Sequence, residues 1–102
     1  MQHLKSYQLA IQFYREAKGI ELPRYIKDQL RRAALSNVLN LGEGSGRRTM
    51  PDRVRFFTIA MGSIRECQSV VEIESEAFTD SQRDLLDHLA ASTYKLIRNA
   101  PA

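Results

Sequence analysis

The sequence predicts an all-α protein, an antiparallel up-down-up-down four-helix bundle with helices near 3–18, 23–43, 52–78 and 80–98. Three observations carry this reading. Apolar residues recur at steps of three and four along most of the chain, which is the spacing of one helix face. No alternation of the strand kind competes with that pattern. The connections between the periodic segments are short, which favours antiparallel neighbours. At 102 residues the chain makes one domain, residues 1–102, without an internal repeat, low-complexity tract or long linker.

The first helix carries Leu4, Tyr7, Ile11, Tyr14 and Lys18 on one stripe. Gly19 stands just past its end, where a left-handed residue closes many helices. Pro23 suits the first turn of the second helix, because the N–H it lacks would be unpaired there anyway. Ile26, Leu30, Ala33, Ala34, Val38 and Leu41 mark the apolar face of that helix. Gly42-Glu43-Gly44-Ser45-Gly46 is expected to end it, since so many glycines disfavour helix. The third helix opens near Pro51 and Asp52, an acidic first turn that complements the helix dipole. Phe57, Ala60, Ile64, Cys67, Val71 and Phe78 form its seam, interrupted by Glu74, and Phe56, Ile59, Val70, Ile73 and Ala77 form a second stripe beside it. An apolar arc that wide exceeds what one antiparallel neighbour covers, so it predicts self-association. Thr79-Asp80-Ser81-Gln82 reads as a capping box opening the fourth helix. Leu86, Leu89, Thr93 and Leu96 or Ile97 give that helix its seam, which ends at Arg98-Asn99 before Pro101.

Composition excludes several classes. Hydrophobic residues at 43% and charged residues at 26% are globular values, which argues against a disordered chain. The one cysteine forms no internal disulfide, so a disulfide-stapled secreted scaffold is excluded. Runs of about 18 apolar residues are absent, so no membrane span is expected. The start, MQHLKSYQLA, lacks the apolar run of a signal peptide. The expected compartment is the cytoplasm. A domain of this size also has little interior to give to an active-site cavity.

Charge is unevenly distributed. Residues 1–65 carry twelve basic and five acidic groups, net +7, while residues 66–102 carry three basic and seven acidic groups, net −4. Eleven of the fifteen cations are arginine, the side chain suited to bidentate phosphate or carboxylate contacts. Two readings follow: a nucleic-acid partner, or basic and acidic surfaces that pair between subunits. Arg24, Lys27 and Arg31 share a face of the second helix, and with Arg47, Arg48, Arg53 and Arg55 they form a candidate phosphate-contacting surface for RNA or DNA. No aromatic residue interleaves these cations, and no recognition helix and turn is evident. The contacts expected are therefore backbone-directed, salt-sensitive and sequence-nonspecific.

Catalytic chemistry finds no constellation, and the chain reads as a nonenzymatic protein with no cofactor and no metal. Asp84 and His88 share a helix face at i,i+4, but di-iron bundles need Glu-x-x-His motifs and further glutamates, and the sequence has no Glu-x-x-His. Cys67 falls in a helix seam, where a thiol behaves as a small hydrophobe. The loop GEGSGRR lacks the Gly-Lys-Ser/Thr ending of a P-loop and follows a helix rather than a strand.

Polar groups on apolar faces form a second pattern. Arg32, Ser36, Asn40 and Glu43 on helix two, with Ser63 and Glu66 on helix three, read as a structural polar layer that fixes packing register. Glu43 has the wrong sign for a helix C-terminus, a cost of roughly 0.3–1 kcal/mol unless a cation such as Arg32 or Arg65 compensates it. Ala60, Gly62 and Ser63 are small enough for another backbone to approach.

Gln29-Leu30-Arg31-Arg32-Ala33-Ala34-Leu35-Ser36, followed by Asn40-Leu41-Gly42-Glu43-Gly44-Ser45-Gly46-Arg47, resembles the signature of the four-helix bundle proteins encoded in 23S rRNA intervening sequences. Arg55-Phe56-Phe57-Thr58-Ile59-Ala60-Met61-Gly62-Ser63-Ile64-Arg65-Glu66 resembles its second block. The accessory variability determinant of diversity-generating retroelements is a related branch. The resemblance implies a cytoplasmic bundle assembled as a ring-shaped homopentamer, and nucleic-acid binding through a basic surface. In the retroelement branch it also implies a reverse transcriptase as protein partner. It implies structural roles for Arg32, Ser36, Asn40, Glu43, Gly44, Ser63 and Glu66, and no catalytic residue. Two positions depart from the pattern: Asn37 stands where an apolar residue is usual, and Met61 where a basic one is common.

Overall fold

The computed structural model describes residues 4–100. Four helices follow in order: α1 (Lys5–Ala17), α2 (Arg24–Ser45), α3 (Met50–Ile73) and α4 (Asp80–Arg98), with a 3₁₀ turn at Ser75–Ala77 before α4. No strand occurs among the described residues. Each helix packs on its chain neighbours, and α1 closes on α4, while the backbones of the diagonal pairs α1/α3 and α2/α4 stand further apart. Partners across α2 and α3 run in opposite directions: Gln29 meets Glu66, Ser36 meets Ser63, Asn37 meets Ala60 and Gly44 meets Phe57. Ser6 near the start of α1 bonds Ser92 near the end of α4, Oγ to Oγ at 2.6 Å. The result is the antiparallel square bundle, 41 Å long and 22 Å across.

The core follows the helical seams: Phe13 from α1, Leu30 and Leu41 from α2, Ile64 and Cys67 from α3, Leu86 and Leu89 from α4. Three boundaries differ from the sequence expectation, each for a visible reason. α2 does not stop at the glycines but runs through them to Ser45. A β-carbon on Gly44 would lie 2.7 Å from the Phe57 ring, so this glycine serves the approach of α3 rather than a turn. α3 starts earlier, at Met50, because the Thr49 hydroxyl caps it by accepting from the Asp52 N–H at 3.4 Å. α3 also ends earlier, at Ile73, where Glu74 leaves the helical conformation and the chain tightens into the 3₁₀ turn.

Two further expectations are corrected. The buried stripe of α1 is Ser6, Ala10, Phe13 and Ala17, which leaves Tyr7, Ile11 and Tyr14 half-buried at its flank. Small Ser6, Ala10 and Ala17 let α1 sit close to its neighbours, and Phe13 fills the space between them. Gly19 is not left-handed, since no described glycine has a positive φ; its N–H instead donates to the Glu16 carbonyl at 3.0 Å. The α4 capping box forms as expected, with Gln82 N–H donating to Thr79 Oγ1 at 3.1 Å and Thr79 N–H donating to Gln82 Oε1 at 2.9 Å. His3 and Pro101 lie outside the described residues.

Candidate nucleic-acid interface

The link from α2 to α3, residues 46–49, sits at one end of the long axis with a dense group of arginines. Arg53, on the first turn of α3, reaches back with its guanidinium. Its Nε donates to the Arg47 carbonyl at 2.9 Å and its Nη2 to the Ser45 carbonyl at 3.3 Å. These are carbonyls left over at a helix end, so Arg53 ties the turn and places a cation where the α2 dipole favours one. Arg47 pairs with Glu43 at 2.8 Å, one turn back on α2. That ion pair compensates the ill-placed carboxylate, a role expected of Arg32 or Arg65. Arg55 pairs with Asp52 at 3.5 Å. The guanidinium carbons of Arg47 and Arg55 lie 4.6 and 4.5 Å from the centre of the same Phe56 ring. An aromatic side chain therefore does interleave the cations here. Arg48 is exposed and makes no side-chain bond among the described residues.

Topology adds cations that the sequence order hides. In this antiparallel bundle the C-terminus of α4 lies at the same end as the α2–α3 link, bringing Lys95 and Arg98 to it. Both are exposed. They belong to the acidic stretch of the sequence, so a linear charge count assigns them to the wrong surface. The N-terminus of α3 points its unpaired N–H groups out of the same end. Arg47, Arg48, Arg53, Arg55, Lys95 and Arg98 thus face Glu43 and Asp52 as the only carboxylates in the α2–α3 link and its adjoining turns.

The other expected cations are elsewhere. Arg24, Lys27 and Arg31 lie on the first turns of α2, at the opposite end of a 41 Å molecule. Even Arg31 and the end of α2 at Ser45, before Arg47, are roughly 21 Å apart along the helix axis, at 1.5 Å per residue. Arg24 and Arg31 are exposed and Lys27 half-buried. This end also holds Glu21, Asp28, Glu72, Glu74, Glu76 and Asp80, so its cations stand among carboxylates. The seven residues form two clusters, not one surface.

The polar layer is assembled in part. Ser63 Oγ donates to Ser36 Oγ at 2.9 Å, and Asn40 Nδ2 donates to the Ser36 carbonyl at 2.9 Å and to Ser36 Oγ at 3.2 Å. Gln29 Nε2 reaches Glu66 Oε2 at 3.5 Å. Glu43 belongs instead to the arginine turn, and Arg32 is exposed without a side-chain bond among the described residues. Asn37, beside this layer, is buried and donates from Nδ2 to the Ala60 carbonyl at 3.3 Å, which accounts for a polar residue at an apolar position. On the same outer side of the α2–α3 hairpin, Leu35, Leu39 and Ile59 are exposed, Leu39 at 60% and Ile59 at 45%.

Cys67 is buried in the core, and loss of solvation there, reinforced by the nearby Glu66 charge, pushes its thiol up to about 12. It stays protonated at neutral pH. Asp84 and His88 are both exposed, and no group of three or more His, Cys, Asp or Glu side chains with metal-binding geometry occurs among the described residues. No helix of the described residues is long and apolar enough to cross a membrane.

A family profile described as 23S rRNA-intervening sequence protein matches residues 2–99, nearly the whole chain and all four helices. The chain belongs to that family. Among curated proteins none matches it. In this 23S rRNA-intervening sequence protein both signature blocks fall on the α2–α3 hairpin, which carries the arginine turn, the Ser36–Asn40–Ser63 cluster and the exposed leucines.

Proposed function

We propose that this protein is a nonenzymatic, cytoplasmic nucleic-acid-binding protein that grips phosphates with its basic end. The observation that carries the reading is convergence: the α2–α3 link, α3 and α4 each deliver cations to one end, where the N-terminus of α3 adds its own positive pole. Phosphate oxygens are the ligands such a surface suits, and they carry no base identity, so binding is sequence-nonspecific and displaced by salt. Arg53 and Arg47 are committed to the turn, whereas Arg48, Lys95 and Arg98 are free to meet a ligand among the described residues. The reading is tested with Arg48→Glu and Arg98→Glu combined, titrated against RNA and DNA at low salt. The expected outcome is a large loss of affinity with the fold intact; undiminished binding overturns the phosphate role of this end.

A second reading concerns assembly. Leu35, Leu39 and Ile59 are exposed, and Gly62, three residues on from Ile59 along α3, is a position where an added β-carbon would meet nothing within 4 Å. A mid-helix glycine costs roughly 1 kcal/mol relative to alanine, and nothing within the chain needs it here. Close approach by another subunit supplies a reason. We therefore propose that copies associate through the outer face of the α2–α3 hairpin, in the ring of five that the family resemblance implies. In the retroelement branch a reverse transcriptase would be a further partner. The alternative, a purely structural module in which basic and acidic surfaces pair between subunits, predicts that the Arg48/Arg98 reversal dissolves the assembly instead of the nucleic-acid complex.

A further inference from the structure

We infer that the basic end prefers single-stranded nucleic acid, with Tyr94 as the platform on which a base stacks; this rests on the phosphate-binding reading above. Tyr94 is 50% exposed, although its neighbours along α4 turn inward: Thr93 is fully buried, and Leu96 and Ile97 pack against the core. Its side chain makes no hydrogen bond, ion pair or ring contact among the described residues. Lys95 follows it directly, and Arg98, four residues on, shares its helix face about 6 Å further along the axis. An exposed, unengaged aromatic ring one turn from a cation has the composition of a single-strand site, in which phosphates are held by charge and bases by stacking.

Three features favour a strand over a protein partner or a duplex. First, Tyr94 is on the helix diagonal to α2, away from the exposed leucines of the proposed subunit face. Second, its surroundings at this end are cationic, which suits a phosphate chain. Third, duplex bases are already stacked, and opening a step costs a few kcal/mol, whereas a single strand presents its bases without that cost. The Phe56 ring contributes indirectly. It holds the guanidinium of Arg55 in place before a ligand arrives, so less side-chain freedom is lost on binding.

The test uses the full chain, a labelled mixed-sequence oligonucleotide, and the same strand annealed to its complement, compared by fluorescence anisotropy at matched low salt. The parent protein binds the single strand more tightly than the duplex. Tyr94→Ala loses about 5- to 150-fold on the single strand, the effect of one stacked base, and less than about twofold on the duplex. Its salt slope is unchanged, because the tyrosine contributes no phosphate contact. Tyr94→Phe retains the preference. An equal loss on both ligands, no loss on either, or altered oligomer mass with strand affinity intact overturns the inference. Binding of neither ligand by the parent protein overturns instead the phosphate reading beneath it.

Discussion

At Gly44 the α2 backbone touches a Phe57 ring, and a single methyl group decides between two opposing effects. Alanine would favour the helix by roughly 1 kcal/mol. Its β-carbon would also meet two Phe57 ring atoms at 2.7 and 2.8 Å and the Phe56 β-carbon at 3.1 Å. Such overpacking costs typically 1–3 kcal/mol. Gly44→Ala is therefore expected to lower the urea midpoint, with a net loss of up to about 2 kcal/mol; a gain would mean that the phenylalanines move aside freely. The glycine pattern was legible in the sequence, but its purpose was not, because a close approach involves a residue from another helix. The same holds for Glu43, whose partner is Arg47 one turn on rather than Arg32 or Arg65. Cys67 was legible as a core residue from its place in the seam. Its folded pKa is raised, so the protonated thiol is the form the fold favours. That contribution is complete below pH 9, where the unfolded thiol titrates, and is lost as pH rises toward about 12. Over that window the parent protein should lose stability faster than Cys67→Ala, by up to about 1.4 kcal/mol per pH unit. Parallel slopes in alkaline melts would contradict the burial argument.

Helices themselves were legible because amphipathic periodicity and capping are local. The Thr79–Gln82 box is an example: both of its hydrogen bonds span three residues. Thr79→Ala should cost about 1 kcal/mol, read as a lower melting temperature. Helix ends were less legible where tertiary contact overrides propensity, as at the glycines of α2, or where a cap lies before a proline, as at Thr49. The α1 seam lies one stripe away from the large apolar residues, because Ser6, Ala10 and Ala17 are too small to register as an apolar face and their burial follows from the closeness of α2 and α4. The α2–α3 hairpin makes a prediction of its own. Gly62→Ala should stabilise the isolated chain by about 0.5–1 kcal/mol, since the added methyl meets open space. It should also weaken self-association, read as a smaller mass in light scattering at equal concentration. Unchanged assembly would remove Gly62 from the subunit face.

For the whole molecule, the bundle topology was legible and the electrostatic layout was not. The sequence divides into a basic stretch and an acidic stretch, but folding redistributes both. The antiparallel return of α4 carries Lys95 and Arg98 to the arginine turn, while Arg24, Lys27 and Arg31 are left at the far end among carboxylates. A linear charge count cannot register this, since it depends on which helix ends meet. The protein is therefore polarised along its long axis, and the basic end is the surface on which its proposed activity depends. The most direct measurement is a titration of the full chain against mixed-sequence RNA over a series of salt concentrations. The account predicts that log affinity falls linearly with log salt concentration, by about 0.7–0.9 for each phosphate engaged, and that the slope shrinks when Arg48 and Arg98 are reversed. A flat line, or no binding at low salt, would contradict it.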